Sequence, residues 1–430
     1  MSPLKVFVLD KNKQPLDPCH AARARELLKQ GRATVYKQYP FTIIIKDREV
    51  GQSVIHPHQV KIAPGSKVTG LTVLQENTNR CVFAAEISHR GFQIKQALLS
   101  RRQLRRSRRL RKTRYRKPRF LNRKRKKGWL PPSLQSRIEN VLTWVNRLRH
   151  VCPITAISQE LVKFDLQKLE QPEIQGVDYQ RGELFGFEVK EYLLTKWGHQ
   201  CAYCSVKDVP LQIEHIVAKS RGGTNRVSNL TLACQKCNQS KGNQPIIEFL
   251  KKKPELLNRI LSQAKKPLVD ATAVNVTRWE LYRRLQQTGL PVEVGSGGQT
   301  KWNRTNHRIE KSHWADSLCV GASTPKKLLI KGIKPLAITA KGHGTRQRCR
   351  TNKFGFPKAH APSSKYFQGF TTGDIVKANI PTGKFAGTYI GRIAIRFRPS
   401  FVLYFLDKKF DVHPKYLNTR QKADGYEYKQ

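Results

Sequence analysis

Two cysteine pairs constrain the fold of this chain more than any other feature. The pairs Cys201-x-x-Cys204 and Cys234-x-x-Cys237 are separated by the 29 residues from 205 to 233. Two such pairs supply the four thiolates of a tetrahedral structural zinc. Because the interval is longer than in a simple zinc ribbon, the sequence predicts a zinc-stapled module with a further element between its knuckles. The other five cysteines are isolated and are predicted to be small buried hydrophobic residues: Cys19, Cys81, Cys152, Cys319 and Cys349.

The charge of the chain predicts a nucleic-acid partner. A formal net charge of +51 over 430 residues would repel itself in a free globule, and a polyphosphate backbone is its natural neutraliser. No apolar stretch approaches the ~20 residues that cross a bilayer, and the first residues lack a signal-peptide layout, so we expect a soluble, cytoplasmic protein. Charge alone would favour a ribosomal or chromatin protein that only binds, and it does not identify an enzyme.

An arginine-rich segment interrupts the chain at residues 101 to 127. It holds 17 Lys or Arg among 27 residues and no acid. Arginine and leucine favour helices, and Leu104 and Leu110 would dock one side, so we expect a helix that ends near Pro118. Repulsion between its like charges must be offset by an external polyanion, although a solvated or disordered segment is the alternative.

Hydrophobic patterning predicts an α+β multidomain chain. The predicted elements are, in chain order, a strand at residues 4 to 9, a polar helix around Ala21 to Gln30, a strand at 41 to 45, an antiparallel meander from about Gln59 to Leu99 (KIAPGSKVTGLTVL, CVFAAEI and GFQIKQALL), a helix from Ser133 to Arg149, a strand ITAIS leading into Glu160, a Gly-rich turn at 295 to 299, and a small twisted barrel or sheet from about Thr324.

The sequence between the knuckles, LQIEHIVAKSRGGTNRVSNLTLAC, resembles that of the HNH, or ββα-metal, nucleases. The resemblance implies that His215 is the general base, that Asn229 orients its ring, and that Glu214 and Asn238 hold one Mg²⁺ through oxygen atoms. Many relatives carry Asp where this chain has Glu214. The alternative is a zinc finger that only binds, but such a finger would not need these four residues at these places.

Three further segments resemble the pieces of a RuvC-type, RNase H-like nuclease. They are residues 62 to 70 (IAPGSKVTG), the strand that ends in Glu160, and a helix with His313 and Asp316 on one face. In relatives such groups hold two divalent ions beside the scissile phosphate. Relatives have Asp where this chain has Ala63, which offers no oxygen. We therefore expect Glu160, His313 and Asp316 to bind Mg²⁺ poorly and this site to be inactive or severely impaired.

The order of these pieces resembles the IscB family, the compact transposon-associated relatives of the type II CRISPR effectors. The resemblance extends to residues 6 to 35, where Pro15-Leu16-Asp17-Pro18 replaces the family's Pro-Leu-Met-Pro, and to residues 369 to 397. It implies the following domains: an N-terminal PLMP-like domain at 1–55, RuvC-like segments at 56–97, 141–184 and 251–323, an arginine-rich bridge helix at 98–140, an HNH domain with zinc knuckles at 185–250, and a C-terminal domain at 324–430 that contacts a short motif beside the target.

The same resemblance implies a mechanism and its partners. A large structured guide RNA would pair with one strand of a double-stranded DNA target, while a single protein chain in the ribonucleoprotein reads backbone shape and the flanking motif. HNH would cut the guide-paired strand and leave a nick. The residues expected to grip the guide and its heteroduplex are Arg101, Arg102, Arg105, Arg106, Arg108 and Arg109. A protein-only HNH homing endonuclease and a non-catalytic RNA-guided DNA-binding protein remain as alternatives.

Overall fold

The computed structural model describes residues 5–110, 128–161, 187–265, 271–342, 352, 358, 364–396 and 400–429. Within these ranges no helix combines the length and apolarity that a membrane span requires.

The N-terminal unit is a four-stranded sheet with one helix packed on it. Its elements are β1 (Lys5–Leu9), β2 (Pro15–His20), α1 (Ala21–Lys29), β3 (Ala33–Lys37) and β4 (Thr42–Ile45), and the strand order is β2-β1-β4-β3. Ala24 and Leu27 of α1 pack on Ile43 and the other buried residues of the sheet. The α/β unit predicted here from hydrophobic patterning is confirmed.

A seven-stranded mixed sheet forms the centre of the molecule. Its strands are β5 (His58–Ala63), β6 (Val68–Gln75), β7 (Arg80–Ser88), β8 (Ile154–Glu160), β11 (Val292–Gly295), β12 (Leu336–Ala340) and β18 (Tyr426–Lys429), in the order β11-β8-β5-β6-β7-β12-β18. The antiparallel β5-β6-β7 meander and the strand that ends in Glu160 confirm the prediction. β8 runs parallel to β5, so both strands end at the same edge of the sheet.

Two helices cover this sheet. The apolar side of α3 (Pro132–Val151), which includes the fully buried Trp144, packs on the sheet together with Leu281 and Leu285 of α8 (Ala271–Gln286). The helix predicted from Ser133 to Arg149 is therefore confirmed. It packs on the sheet that contains β5, the strand that ends at position 63.

The segment GFQIKQALL is helical, which corrects the prediction of a third strand of the meander. It opens α2 (Gly91–Leu110), a helix that continues through the first arginines of the basic segment. Gln, Lys, Ala and Leu are strong helix formers, and Ile94 is the segment's one β-branched residue. Leu104 and Leu110 are 53% and 75% exposed, so they do not dock as predicted. The expected end near Pro118 and the rest of the segment to Lys127 lie outside the described residues.

Between β8 and β11 the chain forms a separate module with its own apolar core. Its elements are α4 (Phe187–Lys196), β9 (Leu211–His215), β10 (Leu230–Cys234), α5 (Gln235–Lys241), α6 (Ile246–Phe249) and α7 (Pro254–Lys265). Leu193, Leu232 and Ile260 are fully buried in this core. The antiparallel β9-β10 hairpin packs in this core, and its second strand ends at Cys234, the first residue of the second cysteine pair.

The predicted Gly-rich turn at 295 to 299 is the junction between β11 and a helix. The Ser296 side chain accepts a hydrogen bond from the Gln299 backbone and caps α9 (Gly297–Asn306). The next helix, α10 (His313–Leu318), carries His313 and Asp316 as predicted.

A small antiparallel sheet lies in the C-terminal part of the chain. It contains β13 (Ile375–Ile380), β14 (Gly387–Ala394), β15 (Phe401–Phe405), β16 (Lys408–Val412) and β17 (Leu417–Gln421), in the order β16-β15-β14-β13-β17. The predicted small sheet is therefore present. Two strands that follow Thr324, β12 and β18, belong to the central sheet instead, because they pair with β7 and with each other.

Candidate functional site

The four paired cysteines converge on one point of the inserted module. The Sγ atoms of Cys201, Cys204, Cys234 and Cys237 all lie within 4.8 Å of one another. Cys204 and Cys234 are 3.7 Å apart at sulfur. That separation matches the ~3.8 Å edge of a tetrahedron with Zn–S bonds of ~2.3 Å and far exceeds a disulfide length of ~2.05 Å. The residues present therefore fit a structural zinc.

The protonation of these thiols also suits a cation. Desolvation opposes ionisation of Cys201, but hydrogen bonds from the backbone of Cys204 and Cys234 lower its pKa to about 7. Burial and then its neighbouring thiols raise the pKa of Cys237. Four thiolates so close together repel one another, so full deprotonation requires a bound positive ion.

The isolated cysteines follow the prediction of buried hydrophobic residues where the structure describes them. Cys81, Cys152 and Cys319 are buried and Cys19 is half-buried, and burial is the main cause that raises the pKa of each. Cys349 lies outside the described residues.

His215 stands at the end of β9, opposite Leu230 at the start of β10. The core residues of the hairpin fix its backbone, while the imidazole remains partly accessible. Nε2 of His215 lies 3.0 Å from Oδ1 of Asn225. The residue type, position and access suit a proton acceptor for water.

Asn225 is the amide that contacts the His215 ring, and the role predicted for Asn229 stays a prediction. The Asn229 side chain accepts a hydrogen bond from the Val217 backbone nitrogen and donates to the carbonyl oxygens of Val217 and Thr224. Asn229 thus closes the loop that follows β9. That loop also carries Asn225.

Glu214 is buried in an ion pair. Lys241 Nζ lies 2.5 Å from Glu214 Oε1, and the two side chains are 0% and 4% exposed. Lys241 also donates to the main-chain oxygen of His215, at 2.9 Å. The lysine therefore joins the last turn of α5 to the Glu-His pair on β9.

Asn238 lies on α5 and faces the same side of β9. Its Nδ2 donates to Gln212 Oε1, at 2.6 Å, and Gln212 is two residues before Glu214 on the strand. Glu214 and Asn238 thus offer oxygen ligands of the type that Mg²⁺ prefers, with one Glu214 oxygen shared with Lys241. In the described part of the chain, the cysteines are the one group of three or more Cys, His, Asp or Glu with metal-ligand spacing. A Mg²⁺ at Glu214 and Asn238 would take its remaining ligands from water and phosphate.

Position 63 is the last residue of β5, at the end of the strand where the predicted RuvC-like residues come together. Ile62 pairs with Gln159 in the parallel β5-β8 register, so Ala63 and Glu160 are neighbours at the strand ends. On the other side Ala63 pairs with Gly70. A Cβ on Gly70 would lie 1.7 Å from the His313 backbone oxygen. Only glycine lets the start of α10 approach this close.

Each remaining RuvC-like carboxylate is paired with an arginine. Arg278 lies 3.0 Å from Glu160 Oε1 and donates two hydrogen bonds to the Pro64 oxygen. Arg304 lies 3.0 Å from Asp316 Oδ1. Burial, and next the charge of Glu160, raise the pKa of Asp316. The two acids are therefore close enough to repel, while His313 is exposed at the start of α10.

The candidate guide-binding arginines lie along α2. Arg101, Arg102, Arg105, Arg106 and Arg109 are exposed, and Arg108 belongs to the same helix. None of the five exposed arginines forms an ion pair with a carboxylate that the structure describes. This helix therefore presents uncompensated positive charge.

Four residues of these sites were not predicted from the sequence: Asn225, Lys241, Arg278 and Arg304. Lys241 and Asn225 lie within about ten residues of Asn238 and His215. Their closeness in the sequence to those predicted residues is the one feature that could have marked them. Arg278 lies 118 residues from its partner Glu160, and no local pattern marks it.

Two family models match separate segments of the chain. Residues 6–182 match the family model described as RRXRR protein, and residues 201–244 match the model of the HNH endonuclease. No curated protein matches the chain.

Solved Cas9 structures show partial similarity. The Type II-C Cas9 enzyme from Actinomyces naeslundii aligns over 42% of this chain and 25% of its own, with 19% identity and a TM-score of 0.17. Streptococcus thermophilus Cas9 in complex with the AGAA PAM aligns over 61% of this chain and 32% of its own, with 12% identity and a TM-score of 0.24. This chain thus spans a quarter to a third of the length of those proteins. Its own sequence carries an RRXRR segment followed by an HNH endonuclease domain.

Proposed function

We propose that this chain is an RNA-guided DNA endonuclease of the IscB type, whose HNH domain hydrolyses a phosphodiester in the guide-paired DNA strand. The observation that carries the proposal is the group of His215, Glu214 and Asn238 beside the four-cysteine cluster. Accessible imidazole, a carboxylate and an amide oxygen are the donor types that phosphodiester hydrolysis needs. A binding module would need only the cysteines.

His215 acts as the general base. A neutral imidazole carries a lone pair on one ring nitrogen, so it can take a proton from water. When Asn225 Oδ1 accepts a hydrogen bond from the Nε2–H group, Nδ1 carries the lone pair that receives the proton of the attacking water. Asn225 is thus the group that selects the tautomer.

Glu214 and Asn238 would hold the catalytic Mg²⁺, and the cysteine cluster would hold a structural Zn²⁺. A magnesium ion there would stabilise negative charge on the phosphorane and the leaving oxygen. Lys241 bonds to both the Glu214 carboxylate and the main-chain oxygen of His215. It thereby fixes the position of the metal-binding carboxylate relative to the backbone of the general base.

The RuvC-like site is impaired in this chain, and the protein acts as a nickase. Ala63 offers no oxygen at the point between Glu160 and α10. Arg278 and Arg304 neutralise the two acids that remain. With His313 they make a poor site for two Mg²⁺ ions, so the strand that reaches this site is left uncut.

Guidance by RNA is supported by the charge of the chain and by the exposed arginines of α2. A net charge of +51 greatly exceeds what one DNA duplex segment at an HNH site requires. The bridge-like helix would bind the guide and its heteroduplex, and the C-terminal sheet would contact the short motif beside the target. A protein-only homing endonuclease would bind its DNA specifically without RNA.

The test is strand-specific cleavage by the purified ribonucleoprotein. The protein with its co-purified RNA is incubated with matched duplex and Mg²⁺, and each strand carries its own label. We expect a nick in the guide-complementary strand alone, lost in His215→Ala and after ribonuclease treatment. An intact duplex, or equal nicking by His215→Ala, would refute the proposal; nicking that survives RNA removal would favour the homing endonuclease.

A further inference from the structure

Trp302 presents its ring to solvent on α9, the helix that packs on α10. The side chain is 66% exposed, which is unusual for tryptophan because the ring is largely apolar. Thr300, Asn303 and Arg304 form the buried side of α9, and Trp302 lies on the opposite side with Lys301 and other exposed residues. The fold of α9 itself therefore gives no reason for an aromatic residue at this place.

The buried side of α9 fixes the position of Trp302. Asn303 donates hydrogen bonds to the main-chain oxygens of Cys319 and Gly321, at 2.9 and 3.0 Å. Arg304 donates to the Ile309 oxygen and pairs with Asp316. Since α9 is tied by these bonds to α10, which carries Asp316, the helix is held in place with Trp302 on its outward side.

The surface around Trp302 is positively charged. Residues 301 to 311 hold four basic residues and one acid, Glu310; Arg304 is buried against Asp316, so Lys301, Arg308 and Lys311 are the exposed basic residues among them. Lys301 and Arg308 are exposed, and neither pairs with a carboxylate in the part of the chain that the structure describes. Positive charge beside an exposed aromatic ring is the chemistry that binds single-stranded nucleic acid.

Several of these cations converge toward the HNH module. Burial is the first cause that lowers the pKa of His199 to about 4, and the charges of Lys311, Lys301 and Arg304 are the next causes. Asp208 is the acid near His199 that acts in the opposite direction. Lys301, Arg304 and Lys311 therefore lie close enough to His199, just before the first cysteine pair, for their charges to act on it.

We propose that Trp302, with Lys301 and Arg308, is a stacking platform for a base of unpaired DNA that approaches the RuvC-like site. This inference rests on the proposed function, in which pairing of the guide displaces one DNA strand. Only an unpaired strand can offer the face of a base to the indole, and its phosphates would meet the flanking cations. In this chain, which lacks an oxygen ligand at position 63, the platform would retain the displaced strand without cutting it.

Photocrosslinking tests the platform independently of guidance. The ribonucleoprotein is bound to a duplex with a pre-melted bubble that carries 5-iododeoxyuridine in one unpaired strand, and crosslinked peptides are mapped by mass spectrometry. We expect crosslinks within residues 301 to 308. Trp302→Ala should lower their yield about 5- to 150-fold, which corresponds to the loss of one stacked base.

Two further variants separate stacking from general apolar contact. Trp302→Phe should retain most of the yield, whereas Trp302→Leu should behave like Trp302→Ala because leucine has no π face. Tyr366→Ala is the matched control, since Tyr366 is also 66% exposed but lies in the C-terminal segment. It should leave the yield unchanged. All variants should melt at the temperature of the parent because both rings lie at the surface.

The outcomes distinguish this inference from the proposed function. A ribonucleoprotein that nicks the guide-paired strand but gives no crosslink at residues 301 to 308 would refute the platform alone. Crosslinks that resist Trp302→Ala, or that come from iodouridine in the guide RNA and not from the bubble, would also refute it. Tryptophan-dependent crosslinks to the bubble without guided nicking would support the platform and count against RNA guidance.

Discussion

The ammonium group of Lys241 binds Glu214 and the main-chain oxygen of His215 at the same time, at 2.5 and 2.9 Å. The lysine is fully buried, so its charge is compensated almost entirely by this carboxylate and carbonyl. A cation at Glu214 must therefore be accommodated beside an existing positive charge. The ion pair links the stability of the module to the geometry of its site.

Lys241→Met should destabilise the HNH module by about 3–5 kcal/mol, because it leaves the Glu214 carboxylate buried without a counter-charge. Hydrogen exchange of residues 211 to 234 in the full chain measures the effect. The double variant Lys241→Met, Glu214→Met should recover most of that loss. Arg396→Met, which breaks the exposed Arg396–Asp411 pair, is the control and should cost less than about 1 kcal/mol. Equal costs for the single and double variants would contradict this account.

Asn225→Ala and Asn229→Ala should affect the HNH site differently. Asn225→Ala removes the hydrogen bond to the His215 ring and should slow single-turnover nicking about 5- to 10-fold, since such a bond contributes ~1 kcal/mol. Asn229→Ala removes three hydrogen bonds to the backbone and should loosen the loop, seen as faster hydrogen exchange at residues 216 to 224. If Asn225→Ala cleaves at the parental rate, the ring contact has no catalytic role.

Removal of the zinc should unfold the module between residues 201 and 244. Elemental analysis should find one zinc per chain, and Cys237→Ser should bind it less well because a hydroxyl is a poorer ligand than a thiolate. Chelation should increase hydrogen exchange in β9 and β10 while β5 to β7 remain protected. Cys152→Ser is the control, since Cys152 lies in the central core and should not change the zinc content.

Ala63→Asp should restore cleavage of the second strand. The carboxylate would join Glu160 and Asp316, and an oxygen ligand for the metal ions is worth several kcal/mol in the transition state, or more than about 100-fold in rate. The variant should convert the nick into a double-strand break, and with His215→Ala it should nick only the other strand. Mg²⁺ should also raise its melting temperature more than that of the parent.

The stability of the central domain should fall at acid pH through His89. Burial, and next the charge of Arg137, lower the pKa of His89 to about 3 in the folded protein. In the unfolded chain its pKa returns to ~6.5, so the unfolded state binds more protons below that pH. Stability is therefore lost as the pH falls from 6.5 toward 3, by about 2 kcal/mol at pH 5.

The variant His89→Gln tests this account. Glutamine can still bond to Thr69, which His89 contacts at 2.7 Å, but it does not titrate. The difference in melting temperature between pH 7.5 and pH 5 should therefore be smaller in the variant. A parental pH dependence in His89→Gln would assign the acid sensitivity to other groups.

Residues close together in the chain were the ones that the sequence could place. The spacing of the cysteine pairs located the module, and the resemblance to the HNH nucleases pointed to His215 and Glu214 within it. The choice between Asn225 and Asn229 depended on the intervening loop, where a Cβ on Gly223 would lie 1.8 Å from the Val217 oxygen. That close approach sets which amide meets the ring, and no linear pattern encodes it.

Long-range pairing explains the remaining differences. Arg278 and Arg304 reach the RuvC-like acids only because β8, β11 and α10 meet at one sheet edge. The strand prediction for GFQIKQALL failed because a short apolar segment fits both periodicities, and the helical arginine segment that follows decided the outcome.

The pairing of β12 with β18 has a mechanical consequence for the small C-terminal sheet. The chain leaves the central sheet at Ala340 and re-enters it at Tyr426, where these two residues are paired. The segment that contains the small sheet therefore begins and ends at the same place in the central sheet. Ile375 of the small sheet also packs against the central core, so DNA bound by that sheet would stay close to the central sheet.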